Sequence, residues 1–220
     1  MSPQYESWGF SDELGWAAAW LYDATKEEAY LSAFYVGMQR GENRWWYEGY
    51  AVSWDDVNAM AKLKMLQAAP KGYRHYSVLR QSVQEYITKW HDCTARRGWP
   101  GQRSPCGLCF LQKWAPLRYA STTALLFTLY TTIFPDDPMA DQLDQWALRT
   151  LAYVLGENGS GRSYMIGYTS PADPASAGSN VTRNYPRRPH HRASSCPAAS
   201  PYEPICNVTH QCNELSLIHI

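Results

Sequence analysis

No stretch of the 220-residue chain approaches the roughly 18 consecutive apolar residues of a membrane-spanning helix, so no membrane partner is expected. The first eight residues, Met1 to Trp8, lack the basic-then-apolar pattern of a secretory leader. There is no excess of charge either. Twenty Lys and Arg face 20 Asp and Glu, and this balance argues against a general electrostatic binder of nucleic acid or anionic lipid. No internal repeat is evident, which disfavours a helical-repeat solenoid. Phenylalanine is scarce, at 5 residues against 10 Trp and 16 Tyr.

The aromatic excess therefore lies in side chains that carry a polar atom. Such residues suit surfaces that are flat, apolar and hydrogen-bonding at once, and sugar-binding clefts are of this kind. An aromatic-rich helical core is the equally good structural reading. With 45% hydrophobic and 18% charged residues the composition is globular, and 25.1 kDa suits one domain with a real core.

Hydrophobic periodicity divides most of the chain into six helices. The first spans Asp12 to Thr25, with Leu14, Ala17, Ala18 and Leu21 as its apolar face and acids in its first turn. The second spans Lys26 to Arg40, with Leu31, Phe34, Tyr35 and Met38. A third opens at Ser53-Trp54-Asp55-Asp56, with Ser53 as its cap, buries Ala59, Met60, Leu63 and Leu66, and stops at Pro70. Tyr76 to Trp90 is the fourth, with Leu79, Val83, Tyr86, Ile87 and Trp90. Asp92 to Gly107 is loop-like. Arg118 to Ile133 is a buried fifth helix. Pro138 opens a sixth whose stripe is Met139, Leu143, Trp146, Ala147, Thr150, Leu151 and Val154, and Gly156 ends it. Beyond Gly156, Gly, Ser, Pro and Asn dominate, with Tyr164-Met165-Ile166 as a short extended piece.

Five segments in order resemble glycoside hydrolase family 9, the inverting endoglucanases. They are Gly9-Phe10-Ser11-Asp12-Glu13-Leu14 running to Tyr22-Asp23-Ala24-Thr25; Ser53-Trp54-Asp55-Asp56; Pro105-Cys106-Gly107-Leu108 running to Trp114-Ala115-Pro116-Leu117-Arg118-Tyr119-Ala120; Tyr153-Val154-Leu155-Gly156-Glu157-Asn158 with Ser163-Tyr164-Met165-Ile166-Gly167; and Pro189-His190-His191-Arg192 followed by Ser195-Cys196-Pro197. Each alone is weak; the five together are specific. The resemblance implies an all-α fold, the (α/α)6 barrel of twelve helices. This chain supplies about six of them, an incomplete barrel with a loop-rich C-terminal segment.

The resemblance also implies roles for individual residues. His190 is counted with the active site, and Arg192 beside it would bind the same sugar; the structural alternative is a loop that caps nearby helix carbonyls. Trp114 and Arg118 face the family's cleft. At i and i+4 on a helix they would pair a stacking ring with a hydroxyl donor, unless the Trp is core and the Arg snorkels beside it. Tyr50 and Trp8 would stack on glucosyl rings. Gly9, Asp12, Glu13 and Asp55 would form a structural calcium site, with plain helix capping as the alternative. The expected partner is a β-1,4-glucan, and the full-length enzyme is expected to be a secreted monomer. Inverting hydrolysis needs an acid and a base carboxyl on opposite faces of the bond. The family's base motif, Asp-Ala-Gly-Asp, is absent from this sequence, and Glu214 lacks the pattern around the family's acid, so this chain is not expected to turn over substrate.

Several features depart from the family. A long insert lies between Tyr168 and Arg188, and Thr182 stands where the family usually has Gly. Cys106 and Cys109 replace a Gly and an apolar residue. Their C-x-x-C spacing invites a zinc or redox reading, but no second pair stands at metal spacing. Six cysteines allow 15 pairings. With three glycosylation sequons, at Asn158, Asn180 and Asn207, they point weakly to secretion. Leu215 to Ile220 match the translation of a transposase sequencing adapter, so residues 1–214 are expected to be part of the catalytic domain and 215–220 an artefact. Three other readings remain: a different (α/α)-barrel glycosidase, a catalytically inactive carbohydrate-binding relative, and a helical scaffold with no ligand.

Overall fold

The computed structural model describes residues 9–41, 51–94, 101–104, 107–111, 116–158, 163–165 and 168. Among them are six helices and one two-stranded hairpin: α1 (Ser11–Thr25), α2 (Glu28–Gly41), α3 (Asn58–Ala68), α4 (Tyr76–Asp92), β1 (Gln102–Arg103), β2 (Cys109–Phe110), α5 (Pro116–Ile133) and α6 (Ala140–Leu155). All six expected helices are present. The chain divides into two compact units. The first holds α1 to α3, most of α4 and residues 132–135; the second holds the end of α4, the hairpin, the rest of α5, and α6.

In the first unit α1 packs against α2 and α3. Its buried face is Asp12, Gly15, Ala18, Ala19 and Tyr22. The expected leucine face is wrong: Leu14 is 56% and Leu21 44% exposed, and Ala17 is exposed as well. Close helix approach decides this. A Cβ on Gly37 of α2 would stand 3.0 Å from the Ser11 carbonyl oxygen and 3.4 Å from the Gly15 nitrogen. Backbones this close leave room between them only for small side chains, so α1 turns Gly15, Ala18 and Ala19 inward and its leucines out. Phe34 of α2 is fully buried.

Two expected boundaries also shift. Lys26 does not start α2; it ends α1 in the left-handed conformation (φ 59°), its N–H donating to the Tyr22 carbonyl. Ser53 does not cap α3. Its Oγ accepts from the N–H groups of Asp55 and Asp56, at 3.2 and 3.1 Å, closing a turn before the helix. The entry to α3 is held instead by Asp12, whose Oδ2 accepts from Val57 N–H at 2.7 Å, and by Asp56, whose Oδ1 accepts from Asn58 N–H at 2.8 Å. A second link joins α1 to α3. The buried Lys64 ammonium donates to Asp23 at 2.6 Å and to Gln67 at 3.2 Å, and lies 3.8 Å from the centre of the Trp20 ring. Hydrogen bonds from Lys26 and Lys64 hold the Asp23 pKa down at about 2. On α4 the expected stripe of Leu79, Val83, Tyr86 and Ile87 is buried. At its start His75 stacks on Tyr35, ring centres 3.8 Å apart, and Tyr73 donates to the Leu31 carbonyl.

In the second unit Trp146 of α6 meets Trp90 edge-on at 6.3 Å and Phe127 of α5 at 4.8 Å. Two hydrogen bonds clip α5 to α6 and to the turn between them: Thr131 Oγ1 to Asp144 and Tyr130 Oη to Asp137, both 2.7 Å. Pro138 does not open α6, which begins at Ala140. Asp137 organises the intervening turn, accepting from Met139 N–H on Oδ1 and from Ala140 N–H on its carbonyl. Leu151, expected inside, is 52% exposed, while Leu143 and Val154 are buried as expected. Gly156 ends the helix with φ 118°, a conformation that suits glycine. Asn158 Nδ2 then donates to the Tyr153 carbonyl at 2.8 Å, so the amide nitrogen of that sequon is engaged in closing the helix. Residues 163–165 form a bend rather than an extended piece, anchored by Tyr164 N–H on the Val154 carbonyl and by a Tyr164–Tyr153 stack. Ile166 lies outside the described residues.

Cys93 pairs with Cys109, Cα atoms 5.7 Å apart. This bond withdraws Cys109 from the zinc or redox C-x-x-C reading. In the expected loop from Asp92 to Gly107, Gln102 and Arg103 form β1, pairing antiparallel with Phe110 and Cys109.

The tight α1–α2 crossing makes a direct test. Gly37→Ala places a methyl 3.0 Å from the Ser11 carbonyl oxygen, so α1 and α2 must part by a few tenths of an ångström to admit it. It should lower stability by about 1–3 kcal/mol, read as a fall in the urea midpoint.

Candidate functional site

Three acids gather where α1 meets the turn before α3. Asp12 and Glu13 share the first turn of α1, where negative charge complements the helix dipole. Asp55 sits in the Ser53 turn. Burial raises the Glu13 pKa above its ordinary 4.5. A side-chain hydrogen bond with Asp12 and the charges of Asp12 and Asp55 push it the same way, against a backbone hydrogen bond that lowers it. The Asp55 Oδ1 atom is buried with no hydrogen-bond partner. This is the electrostatics of a site that would gain from a cation: like charges close together, one acid resisting ionisation, one oxygen unsatisfied. The side chains are not gathered into a ligand shell. Among the described residues no three His, Cys, Asp or Glu side chains converge as they would around a metal. Capping is also at work, though not on α1's own end: Asp12 holds the entry to α3.

In the second unit Arg118 stands in the first turn of α5. That helix opens on Pro116, whose fixed φ and missing N–H suit a first helical position. The Arg118 guanidinium donates through Nη2 to the Tyr119 hydroxyl and lies 4.4 Å from the centre of that ring. Its Nε is buried with no hydrogen-bond partner. The head group is thus held by its neighbour while one donor remains unsatisfied. Tyr119 carries no signal of this role in its spacing, because adjacent helix residues do not ordinarily share a face. Of the other sequence-derived candidates, Trp8, Tyr50, Trp114, His190 and Arg192 lie outside the described residues. Gly9 is described, next to the acidic turn in sequence. Because α5 is described from Pro116, the shared face expected for Trp114 and Arg118 also falls outside them.

The sequence profile of Glycosyl hydrolase family 9 matches residues 1–213, almost the whole chain. The chain belongs to glycosyl hydrolase family 9. Its relatives include Endoglucanase A of Bacillus pumilus, 29% identical over 195 residues, covering 87% of this chain and 27% of that protein. Endoglucanase 5 of Arabidopsis thaliana is 31% identical over 210 residues, covering 88% of this chain and 31% of the relative. Among solved structures, the cellulase Cel9M of C. cellulolyticum in complex with cellobiose superposes with a TM-score of 0.63 at 26% identity, over 77% of this chain and 36% of the other. Endoglucanase CelQ of Clostridium thermocellum complexed with cellotriose gives 0.62 at 29% identity, over 77% and 28%. These matches bear out the expected fold class: this family 9 chain is all-α and matches solved (α/α)6-barrel cellulases. It spans about a quarter to two fifths of the length of the curated relatives it matches.

Asp12 offers a separable test of its structural role. Asp12→Ala leaves the Val57 N–H without its acceptor and should cost about 1–3 kcal/mol. Asp12→Asn keeps an acceptor oxygen and should cost clearly less, both read from urea unfolding.

Proposed function

We propose that this chain is the sugar-binding part of an endo-β-1,4-glucanase that cleaves internal β-1,4-glucosidic bonds of cellulose with inversion. The observation that carries this reading is the family match over residues 1–213, together with relatives solved with cellobiose and cellotriose bound. In this reading Arg118 donates hydrogen bonds to sugar hydroxyls, its guanidinium held by Tyr119 and its Nε awaiting an acceptor. Trp114, Tyr50 and Trp8 supply stacking surfaces. His190 and Arg192 bind a sugar from one loop, His190 beside the reacting bond. With neither the Asp-Ala-Gly-Asp base motif nor a Glu in the family's acid pattern, residues 1–214 bind glucan without hydrolysing it, as a part of a longer enzyme that acts as a monomer. Residues 215–220 stand outside the domain as an adapter artefact. The Cys93–Cys109 disulfide favours an oxidising, extracellular location.

Asp12, Glu13 and Asp55, with the backbone oxygen of Gly9, would hold calcium, a hard cation suited to oxygen donors. The ion would neutralise the acidic turn and tie α1 to the entry of α3, a structural contribution with no part in bond cleavage. The orphaned Asp55 oxygen and the raised Glu13 pKa favour a cation here, but the three side chains do not converge as a ligand shell as they stand and would have to draw together around the ion.

Both readings have direct tests. Calorimetry with cellotetraose should show Arg118→Ala weakening binding by about ten- to a hundredfold, the worth of a charged hydrogen bond. Unchanged affinity would take Arg118 out of the sugar site, and a parent chain that binds no cellotetraose would favour the ligand-free scaffold. Calcium should raise the Tm at neutral pH. Because Glu13 takes up its proton above the ordinary 4.5, that gain should start to fade before the pH has fallen so far. Asp55→Ala should abolish it, and a Tm indifferent to calcium would remove the site.

A further inference from the structure

The hairpin of the second unit is too small to hold itself. Its strands are two residues each, paired only through Gln102 with Phe110 and Arg103 with Cys109. A hairpin this short has little stability in water without support. Its local hydrogen bonds close the loop, from Ser104 N–H to the Leu108 carbonyl and from Leu108 N–H to Ser104 Oγ, but they do not anchor it to anything else. The anchor is the C-terminal end of α4, and it is gripped twice.

The first grip is covalent. Cys93, the residue after α4, takes a left-handed conformation (φ 47°) that is uncommon outside glycine and bonds to Cys109 in β2. The second is Arg103. One arm of its guanidinium donates to the Gly107 carbonyl at 3.2 Å, within the hairpin. The other donates to the His91 carbonyl at 3.2 Å and the Asp92 carbonyl at 3.5 Å, two of the exposed acceptors at the end of α4. A cation there also complements the negative end of the helix dipole. Leu108, Cys109, Phe110 and Leu111 are all buried, so the second strand and the residue after it are fixed. Pro116, the start of α5, comes five residues after Leu111, and Arg118 follows in that first turn.

We propose that the Cys93–Cys109 bond and Arg103 form a positioning clamp. It fixes the hairpin on the end of α4 and through it the first turn of α5, so that Arg118 and Tyr119 are presented in a set orientation. The functional consequence rests on the proposed sugar-binding role; the mechanical claim does not. Cys93, Arg103 and Cys109 are positioning residues in this scheme and do not touch the sugar. Opening the bond with a phosphine leaves two thiols, phosphorus supplying the two electrons and taking its oxygen from water.

Hydrogen exchange on the full chain tests the clamp. The Cys93→Ala/Cys109→Ala double variant should exchange about tenfold faster at residues 107–111 and 116–123, with 140–155 in α6 unchanged. Arg103→Ala, which leaves the disulfide intact, should produce a smaller effect at the same residues, and Arg103→Lys should recover part of it. Cellotetraose affinity should fall in step with exchange at 116–123. Exchange that rises equally in α6 would make the bond a general stabiliser, and exchange that rises nowhere beyond the hairpin would break the link to α5; either overturns the clamp. A parent chain that binds no cellotetraose refutes the sugar-binding reading, while the exchange comparison still decides the clamp.

Discussion

A single carboxylate, Asp12, sits where the first unit of this family 9 chain is joined. It lies in the first turn of α1, is nearly buried, and accepts the Val57 N–H at the entry to α3. That bond spans 45 positions of sequence and sets α3 against α1. It also places the Ser53 turn, and with it Asp55, near the two acids of α1. The acidic cluster is thus a consequence of the way α3 is held. Bringing carboxylates together beside a partly desolvated turn raises the cost of their charges, which appears as the raised pKa of the exposed Glu13 and the unpaired Asp55 oxygen. A fold that keeps such a cluster has either accepted that cost or uses a cation to relieve it.

The second unit solves a different problem. Its helix pair is held by an aromatic contact around Trp146 and by two half-buried side-chain hydrogen bonds from α5. Between α4 and α5 the described residues Leu108 to Leu111 are buried. There the chain uses a covalent bond and an arginine, at positions where Cys109 departs from the family pattern. The region that departs is the approach to the turn carrying Arg118.

Helix periodicity was readable because it reports burial averaged along an element. The stripe on α4 came out residue for residue, and the Gly156 stop followed from a conformation that glycine adopts readily. The failures have one cause. Leu14 and Leu21 lost their place to Gly15 and alanine because α1 and α2 cross at backbone contact, and the closeness of a crossing is not written in the hydrophobicity of one helix. Ser53 and Pro138 were matched to helix starts by local rules. In the structure Asp12, far away in sequence, and Asp137, one residue away, take over those ends with better-placed oxygens.

Family, helix count and the types of residue available for binding were all carried by local sequence. Motif order and helical spacing are properties of neighbours along the chain, and need no fold to be read. Which helix face is buried, which acid holds α3, and which of six cysteines joins Cys93 are different in kind. They depend on distances between residues remote in sequence, and the 15 pairings open to the cysteines fall to three when the hairpin brings the Cys93 and Cys109 sulfurs together at the end of α4. Arg118 shows both sides: its presence in the motif was visible from the chain alone, while its tether to Tyr119 and its unsatisfied Nε exist only once α5 has folded.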